Sequence, residues 1–257
     1  LKIAAVIPAR YASARLPGKP LADIHGRPMI VRVYERVARH AGLAAVIVAT
    51  DDERIAAAVR AVGGEATLTR ADCASGTDRV AEVAARLDAD LVVNVQGDEP
   101  LFDPRMLDDA LAPFAGDPRL RFGTVRAAIA DEAEIFDPNC VKVIVDARDR
   151  AIYFSRAPIP YPRDLLEARD GRPAFRRDAL RPPYFKHLGL YVYRRDFLLA
   201  YASWPPSALE KIEKLEQLRA LERGVEIACP LTPHGTISVD TPADLEAVRR
   251  LSAPAGA

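Results

Sequence analysis

Residues 2–21 read KIAAVIPARYASARLPGKPL, and residues 44–64 read AAVIVATDDERIAAAVRAVGG. Each begins as a short apolar run that suits a buried strand. The first ends in a cation-rich loop, and the second passes through Asp51 and Asp52, which can cap the helical pattern behind them. Between the two, residues 28–42 (PMIVRVYERVARHAG) carry apolar side chains at Ile30, Val33, Tyr34, Val37 and Ala41, with Pro28 suited to a first turn and Gly42 to a stop. Working outward, EATLT (65–69) reads as a strand, SGTDRVAEVAARL (75–87) as a helix with Ser75 or Thr77 as cap, and DLVVNVQ (90–96) as a strand that runs into GDEP. This β-α-β-α order predicts an α/β fold, a mostly parallel sheet covered on both faces.

Beyond residue 115 the pattern changes. RFGTVRAAI (121–129), CVKVIVDA (140–147), AIYFSRA (151–157) and FKHLGLYVYRR (185–195) read as strands that build a smaller, mixed α/β portion. Residues 157–183 are dense in proline and charge and read as a long surface loop, a lid, an oligomer contact or a simple insertion. SALEKIEKLEQLRALERG (207–224) reads as one helix stopped by Gly224, VEIACPL (225–231) as a strand, and TPADLEAVRRLS (241–252) as a helix capped by Thr241. The chain reads as one domain of residues 1–257, with a first half at 1–115 and a second at 116–257.

The totals exclude several classes of function. Lysine plus arginine and aspartate plus glutamate are both 36 in 257 residues, so there is no global basic field for nucleic acid and any anion site must be local. The cysteines at 73, 140 and 229 form no CxxC pair and predict neither a zinc site nor a disulfide framework. No apolar run approaches the length of a membrane span, and neither a signal peptide nor a span is expected, so the expected location is the cytoplasm.

The local anion site is legible in the first loop. Arg10 follows the first strand at the end where open α/β sheets bind ligands, and Arg15 and Lys19 share its loop with Ser13. Two guanidinium forks and an ammonium, with no acid between them, suit a triphosphate. Gly18 allows close backbone approach, and Pro17 and Pro20 stiffen the loop. The loop is not a Walker A motif, since Ser13 and Pro20 stand where glycine and a hydroxyl residue are needed. Three ordinary surface cations remain the alternative.

Other constellations follow strand ends. Gln96, Asp98 and Glu99 lie just beyond DLVVNV, and Asp98 is placed to hold Mg²⁺ by one oxygen or to serve as a turn aspartate. Asp240 follows the β-like TISV and is a second carboxylate or part of a helix cap. Arg70, Ser75, Gly76, Thr77 and Arg79 surround a helix start that can hold phosphate or read a base edge, or be an ordinary cap. His187 lies on an apolar strand, where a satisfied core histidine is the commoner outcome; His25, His40 and His234 have no comparable context.

PARYASARLPGKPL (8–21) resembles the N-terminal signature of the CMP-Kdo synthetases, the 3-deoxy-manno-octulosonate (Kdo) cytidylyltransferases. VATDDERIAAAV, TRADCASGTDRVAEV, VNVQGDEP, FDPNCVKVIVDA, YFSRAPIP, HLGLYVYR, LEKIEKLEQLRALERG and VDTPADLEAVR resemble that family's later segments in the same order, so the resemblance covers nearly the whole chain. RYxSxRLPGKPL is shared in looser form with other nucleotidyltransferases, including those acting on sialate; its combination with QGDEP and HLGLY…LEQLR is more specific.

The resemblance implies a Rossmann-like nucleotidyltransferase fold, a homodimer joined through the smaller portion, and transfer of CMP from CTP to Kdo for lipopolysaccharide synthesis. It implies Arg10, Ser13, Arg15, Lys19, Arg70, Ser75, Gly76 and Arg79 at CTP, with Lys19, Arg10, Asp98 and Asp240 in catalysis. It makes Asp98 and Asp240 the Mg²⁺ pair. Gln96, Arg156, His187, Tyr191, Glu216 and Gln217 are then the residues at Kdo, with Arg156 and His187 as the cations for its carboxylate. Two alternatives stay open: a cytidylyltransferase for 8-amino-Kdo or sialate, and a nucleotide-binding regulator without turnover.

Overall fold

The apolar run that opens the chain forms β1 (Ile3–Ala9), buried from Ala4 to Ile7. A 3-10 turn at Lys19–Leu21 follows, then β2 (Asp23–Ile24), β3 (Arg27–Pro28), α1 (Met29–Val37), β4 (Ala45–Thr50), α2 (Glu53–Arg60), β5 (Glu65–Leu68), α3 (Gly76–Ala84), β6 (Leu91–Asn94) and α4 (Met106–Gly116). Next come β7 (Phe122–Ala128), α5 (Glu132–Phe136), β8 (Lys142–Val145), β9 (Ala151–Ser155), β10 (Leu166–Arg169), β11 (Arg172–Phe175) and β12 (Phe185–Arg194). The chain closes with α6 (Arg195–Ala202), α7 (Ala208–Glu213), α8 (Leu218–Leu221), β13 (Ile227–Ala228) and α9 (Pro242–Leu251). This computed structural model describes residues 1–12, 16–169, 171–176 and 183–253.

The chain divides into two compact units. The first holds Leu1–Asp108, Gly189–Trp204 and His234–Ala257, and the second holds Asp109–Leu188 and Pro205–Pro233. The halves expected at 1–115 and 116–257 are contiguous, whereas these units are interleaved, because Gly189–Trp204 and α9 return to the first unit after the chain has left it.

In the first unit, β6, β1, β4 and β5 are parallel neighbours in that order. Ala4 faces Ala45 on one side, and Ile3 faces Leu91 on the other, so the apolar β1 is flanked on both edges. Tyr191–Arg194 of β12 runs antiparallel beside β6, with Tyr191 opposite Asn94. The parallel order makes the carboxyl ends of β1 and β6 adjacent, and residues 10 and 95–98 emerge together there. The caps expected at Asp52, Ser75 and Thr241 are all present, and those of Ser75 and Thr241 are full capping boxes closed by Asp78 and Asp244. TISV (236–239) forms no strand.

Gly97 is required by packing. A Cβ built on it would lie 2.6 Å from the carbonyl oxygen of Pro8 and 3.3 Å from Ile30 Cδ1. Gly97→Ala is therefore expected to destabilise the fold by about 1–3 kcal/mol, read as a lowered Tm; an unchanged Tm would show that β1 and β6 need not approach so closely.

The second unit is richer in antiparallel pairing. β8 pairs with β9, Lys186 of β12 lies opposite Lys142, and β13 runs parallel to β7. The segment expected as a loop at 157–183 contains the β10–β11 hairpin. It is anchored by buried Ala174 and Phe175, with Phe175 against Tyr184, Phe136, Ile129 and Ile135 and its N–H donating to Glu132 Oε1 at 2.8 Å. Proline and charge concealed this short pair in the sequence; positions 170 and 177–182 lie outside the described residues. The helix expected over 207–224 is two helices, α7 and α8, because Lys214 adopts left-handed angles (φ 55°, ψ 44°) between them. Among the described residues no helix is long and apolar enough to cross a membrane.

Candidate active site

The adjacent carboxyl ends of β1 and β6 open into a cleft of about 430 Å³. Pro8, Ala9, Arg10, Lys19, Ser75, Gly76, Arg79, Gln96, Gly97, Asp98 and Asp240 are among its lining residues. Local structure delivers each group. Gly18, at φ 71°, makes the left-handed turn that starts the 3-10 turn, and Lys19 leaves that turn toward the cleft. Gly97 lets the chain pass Pro8 and place Asp98 beside β1. The Thr241 cap holds Asp240, whose own N–H donates to Asp244 Oδ2 at 3.0 Å.

At the centre Lys19 Nζ donates to Asp98 Oδ2 at 2.7 Å and to Asp240 Oδ1 at 3.2 Å. The lysine side chain is 14% exposed, and the carboxylates are 29% and 40% exposed. Two carboxylates 142 positions apart in sequence thus meet on one cation in space. Among the described residues no group of three or more His, Cys, Asp or Glu could hold a metal ion. A pair of hard carboxylate oxygens still fits Mg²⁺, which keeps most of its shell for phosphate and water. The donor set accordingly fits the expected ion.

Arg10 is exposed at the mouth of the cleft. Arg79 is buried, with its guanidinium on Asp51 Oδ2 at 3.0 Å and on Thr69 Oγ1. Ser75 caps α3, as one of its two readings expects, and also lines the cleft. Arg70 is not among the lining residues of the cleft: Glu82 (3.4 Å) and Asp72 (3.7 Å) hold its guanidinium, and it lines a neighbouring hollow that shares Cys73 with the cleft. Ser13 and Arg15 lie outside the described residues. Gln96 faces the cleft, and its Nε2 donates to Asn94 Oδ1 at 3.4 Å. Tyr191 is half-buried and stacks on Tyr193.

Of the other residues expected at the sugar, Arg156, His187, Glu216 and Gln217 belong to the second unit. His187 accepts or donates one hydrogen bond with Thr124 Oγ1 at 2.9 Å and sets its ring edge-on to Phe154. Desolvation lowers its pKa to about 3, which favours the neutral ring near pH 7 over the expected cation. Arg156 has its guanidinium on the backbone carbonyls of Glu213 (2.7 Å) and Pro138 (2.8 Å), with Lys214 O at 3.5 Å. In this structure it clamps the chain through these carbonyls. Gln217 is buried, and Glu216 lies half-buried 3.9 Å from Arg219.

Sequence reasoning missed one residue that shapes the cleft, Gly97, whose readable signal is a glycine just beyond a buried strand. Glu99, read in the sequence beside Asp98, is 3% exposed, receives Ser238 Oγ at 3.4 Å, and burial with the neighbouring Asp98 charge raises its pKa to about 8. A raised folded-state pKa gives stability that is present below the unfolded value near 4.5 and is lost as pH rises through about 8. His187 acts oppositely, since its depressed pKa removes stability as pH falls from about 6.5 toward about 3. Comparison with Glu99→Gln isolates the first effect: the Tm of the wild type should fall relative to the variant between pH 5 and 9. A pH-independent difference would show that Glu99 does not take up a proton on folding.

An open, mostly parallel α/β sheet with a cleft of cations and carboxylates at its strand ends defines a nucleotide- or phosphate-handling α/β protein. The Cytidylyltransferase family model matches residues 4–227. The 3-deoxy-manno-octulosonate cytidylyltransferase of Syntrophotalea carbinolica is 55% identical over 248 residues, 95% of this chain and 96% of that protein. The enzyme of the same name from Geobacter sulfurreducens is 53% identical over 249 residues, 96% of this chain and 98% of that protein. A solved structure of CMP:2-keto-3-deoxy-manno-octonic acid synthetase complexed with CTP is similar at 48% identity and a TM-score of 0.88, covering 98% of both chains. The chain belongs to the 3-deoxy-manno-octulosonate cytidylyltransferase family.

Proposed function

We propose that the protein transfers CMP from CTP to the anomeric hydroxyl of Kdo, giving CMP-Kdo and pyrophosphate. The observation that carries this reading is the meeting of Lys19, Asp98 and Asp240 at the strand ends of a chain 53–55% identical, over nearly its whole length, to enzymes of that name. The anomeric oxygen attacks the α-phosphorus, the bond to the bridging oxygen breaks, pyrophosphate leaves in line, and the hydroxyl proton passes to solvent. Positioning and electrostatics are the main contributions. Arg10 meets the phosphates at the cleft mouth, and the Lys19 ammonium neutralises charge that builds on them in the transition state. The first turn of α3, opened by Ser75 and Gly76, offers backbone N–H groups to the nucleotide. Asp98 and Asp240 would hold Mg²⁺, which supplies charge neutralisation at the phosphates and a lowered pKa for the attacking hydroxyl.

The product would serve lipopolysaccharide synthesis in the cytoplasm, in keeping with the family. A homodimer is part of the reading, supported by the resemblance and by the large exposed side chains Ile152, Tyr161 and Ile212 of the second unit. Pyrophosphate release tests the function, with CTP and Mg²⁺ and with Kdo, 8-amino-Kdo or sialate as acceptor, and UTP as control. Release with CTP and Kdo is expected. Preference for another sugar would keep the chemistry and change the substrate, and CTP binding without release would favour a regulator.

A further inference from the structure

Arg10 and Lys19 both line the cleft although they stand nine positions apart in the chain. The residues beside them are joined: the Gly18 N–H donates to Tyr11 O at 3.2 Å. The Tyr11 ring adds to that bond. A Cβ built on Gly18 would lie 3.1 Å from Tyr11 Oη and 3.2 Å from Cζ, so the ring sits against the bare face of this left-handed glycine. Gly18 O accepts the Leu21 N–H at 2.8 Å, and the glycine thereby opens the 3-10 turn that carries Lys19.

A guanidinium covers the same ring. Arg54 Cζ lies 3.5 Å from the Tyr11 ring centroid, within cation–π range. Its orientation is fixed by the cap of α2: Asp52 accepts Arg54 Nε at 2.9 Å and Nη2 at 2.6 Å, and it accepts the Arg54 main-chain N–H at 2.9 Å. Strand register brings these groups together. Ala9 of β1 lies opposite Thr50 of β4, so Tyr11 and Asp52 each stand two residues beyond a paired strand end. Tyr11 is not among the lining residues of the cleft, whereas Arg10 and Ala12 on either side of it are. We propose that Tyr11 is a positioning residue: its ring, held by the Arg54 guanidinium, latches Gly18 and keeps Arg10 and Lys19 turned onto one anion before that anion binds. This rests on the triphosphate reading of the cleft above.

The test is isothermal titration calorimetry without metal, with CTP and with inorganic tripolyphosphate. It compares wild type, Tyr11→Ala, Tyr11→Phe, Arg54→Ala and the double variant Tyr11→Ala/Arg54→Ala. Tyr11→Ala should weaken both ligands about tenfold, since the loop must then be ordered at binding. Tyr11→Phe keeps the ring and should stay near wild type. Arg54→Ala keeps the main-chain bond to Asp52 and should weaken both ligands about twofold to fivefold. In the Tyr11→Ala background it should have no further effect, because its only route to the ligand is the ring. The loss must be equal for the two ligands, which share the phosphates alone. A loss confined to CTP would mean that the ring meets the nucleoside, and would overturn the latch. An Arg54→Ala loss that persists in full without the ring would overturn it too, since the guanidinium would then act on the ligand directly. Unchanged affinity in Tyr11→Ala, with only a lower Tm, has the same consequence. If Tyr11→Ala fails to fold, Tyr11→Leu takes its place and the same loss and the same silence of Arg54 are required. Wild-type protein that binds tripolyphosphate but not CTP refutes the proposed function, and the tripolyphosphate losses still decide the latch. Wild-type protein that binds neither ligand overturns both.

Discussion

Asp98→Ala is expected to lower kcat by about 10³-fold or more while the protein stays folded. The side chain is one of two carboxylates on the Lys19 ammonium, and it is the one at 2.7 Å. Its structural duty is carried by the main chain, where Asp98 O accepts the N–H of Val239 at 2.9 Å, and alanine keeps that bond. Thermal unfolding should therefore move little compared with turnover. Asp98→Asn separates charge from shape: it keeps an oxygen in place and removes the anion, and it should be nearly as slow. Turnover of Asp98→Ala near that of the wild type at saturating Mg²⁺ would take Asp98 out of the metal site.

Lys19→Ala should lower kcat by about 10²–10³-fold with little change in the KM for the acceptor. The ammonium is mostly enclosed and lies where phosphate charge must be met. Its removal also leaves Asp98 and Asp240 facing each other without a cation between them. The apo variant should consequently bind Mn²⁺, read by electron spin resonance, at least as tightly as the wild type, although it turns over far more slowly. A rise only in the KM for CTP would make Lys19 a binding group. Weaker Mn²⁺ binding would mean that the two carboxylates do not form a cation site once the lysine is gone.

Much of this is legible in the amino-acid sequence. The strand–helix alternation of residues 2–96 places apolar runs at parallel-sheet spacing, and the caps at Asp52, Ser75 and Thr241 are set by side chains a few residues from the groups they satisfy. Such local bonds leave local signals. The cations of the first loop and the carboxylates at 98 and 240 stand out by type and by their place after strands or before a helix, and the family signature lies in the same segments. The β10–β11 hairpin and the break at Lys214 are not legible, because each depends on partners remote in sequence: Phe175 on Tyr184 and Ile129, and Lys214 on Arg156. The same holds for charge state. His187, one of the two cations the resemblance implies, has its pKa lowered, and Glu99 is buried with a raised pKa, since desolvation is set by what packs around a group.

By itself, then, the sequence determined the class of fold, the family and the loops that carry the chemistry, for these rest on periodicity and on residues close together in the chain. Only the tertiary structure decided that Asp98 and Asp240 share the Lys19 ammonium and that Arg156 serves the backbone. Contacts across many tens of residues exist only once parallel pairing has aligned the strand ends, and a guanidinium binds whichever acceptors the fold brings to it.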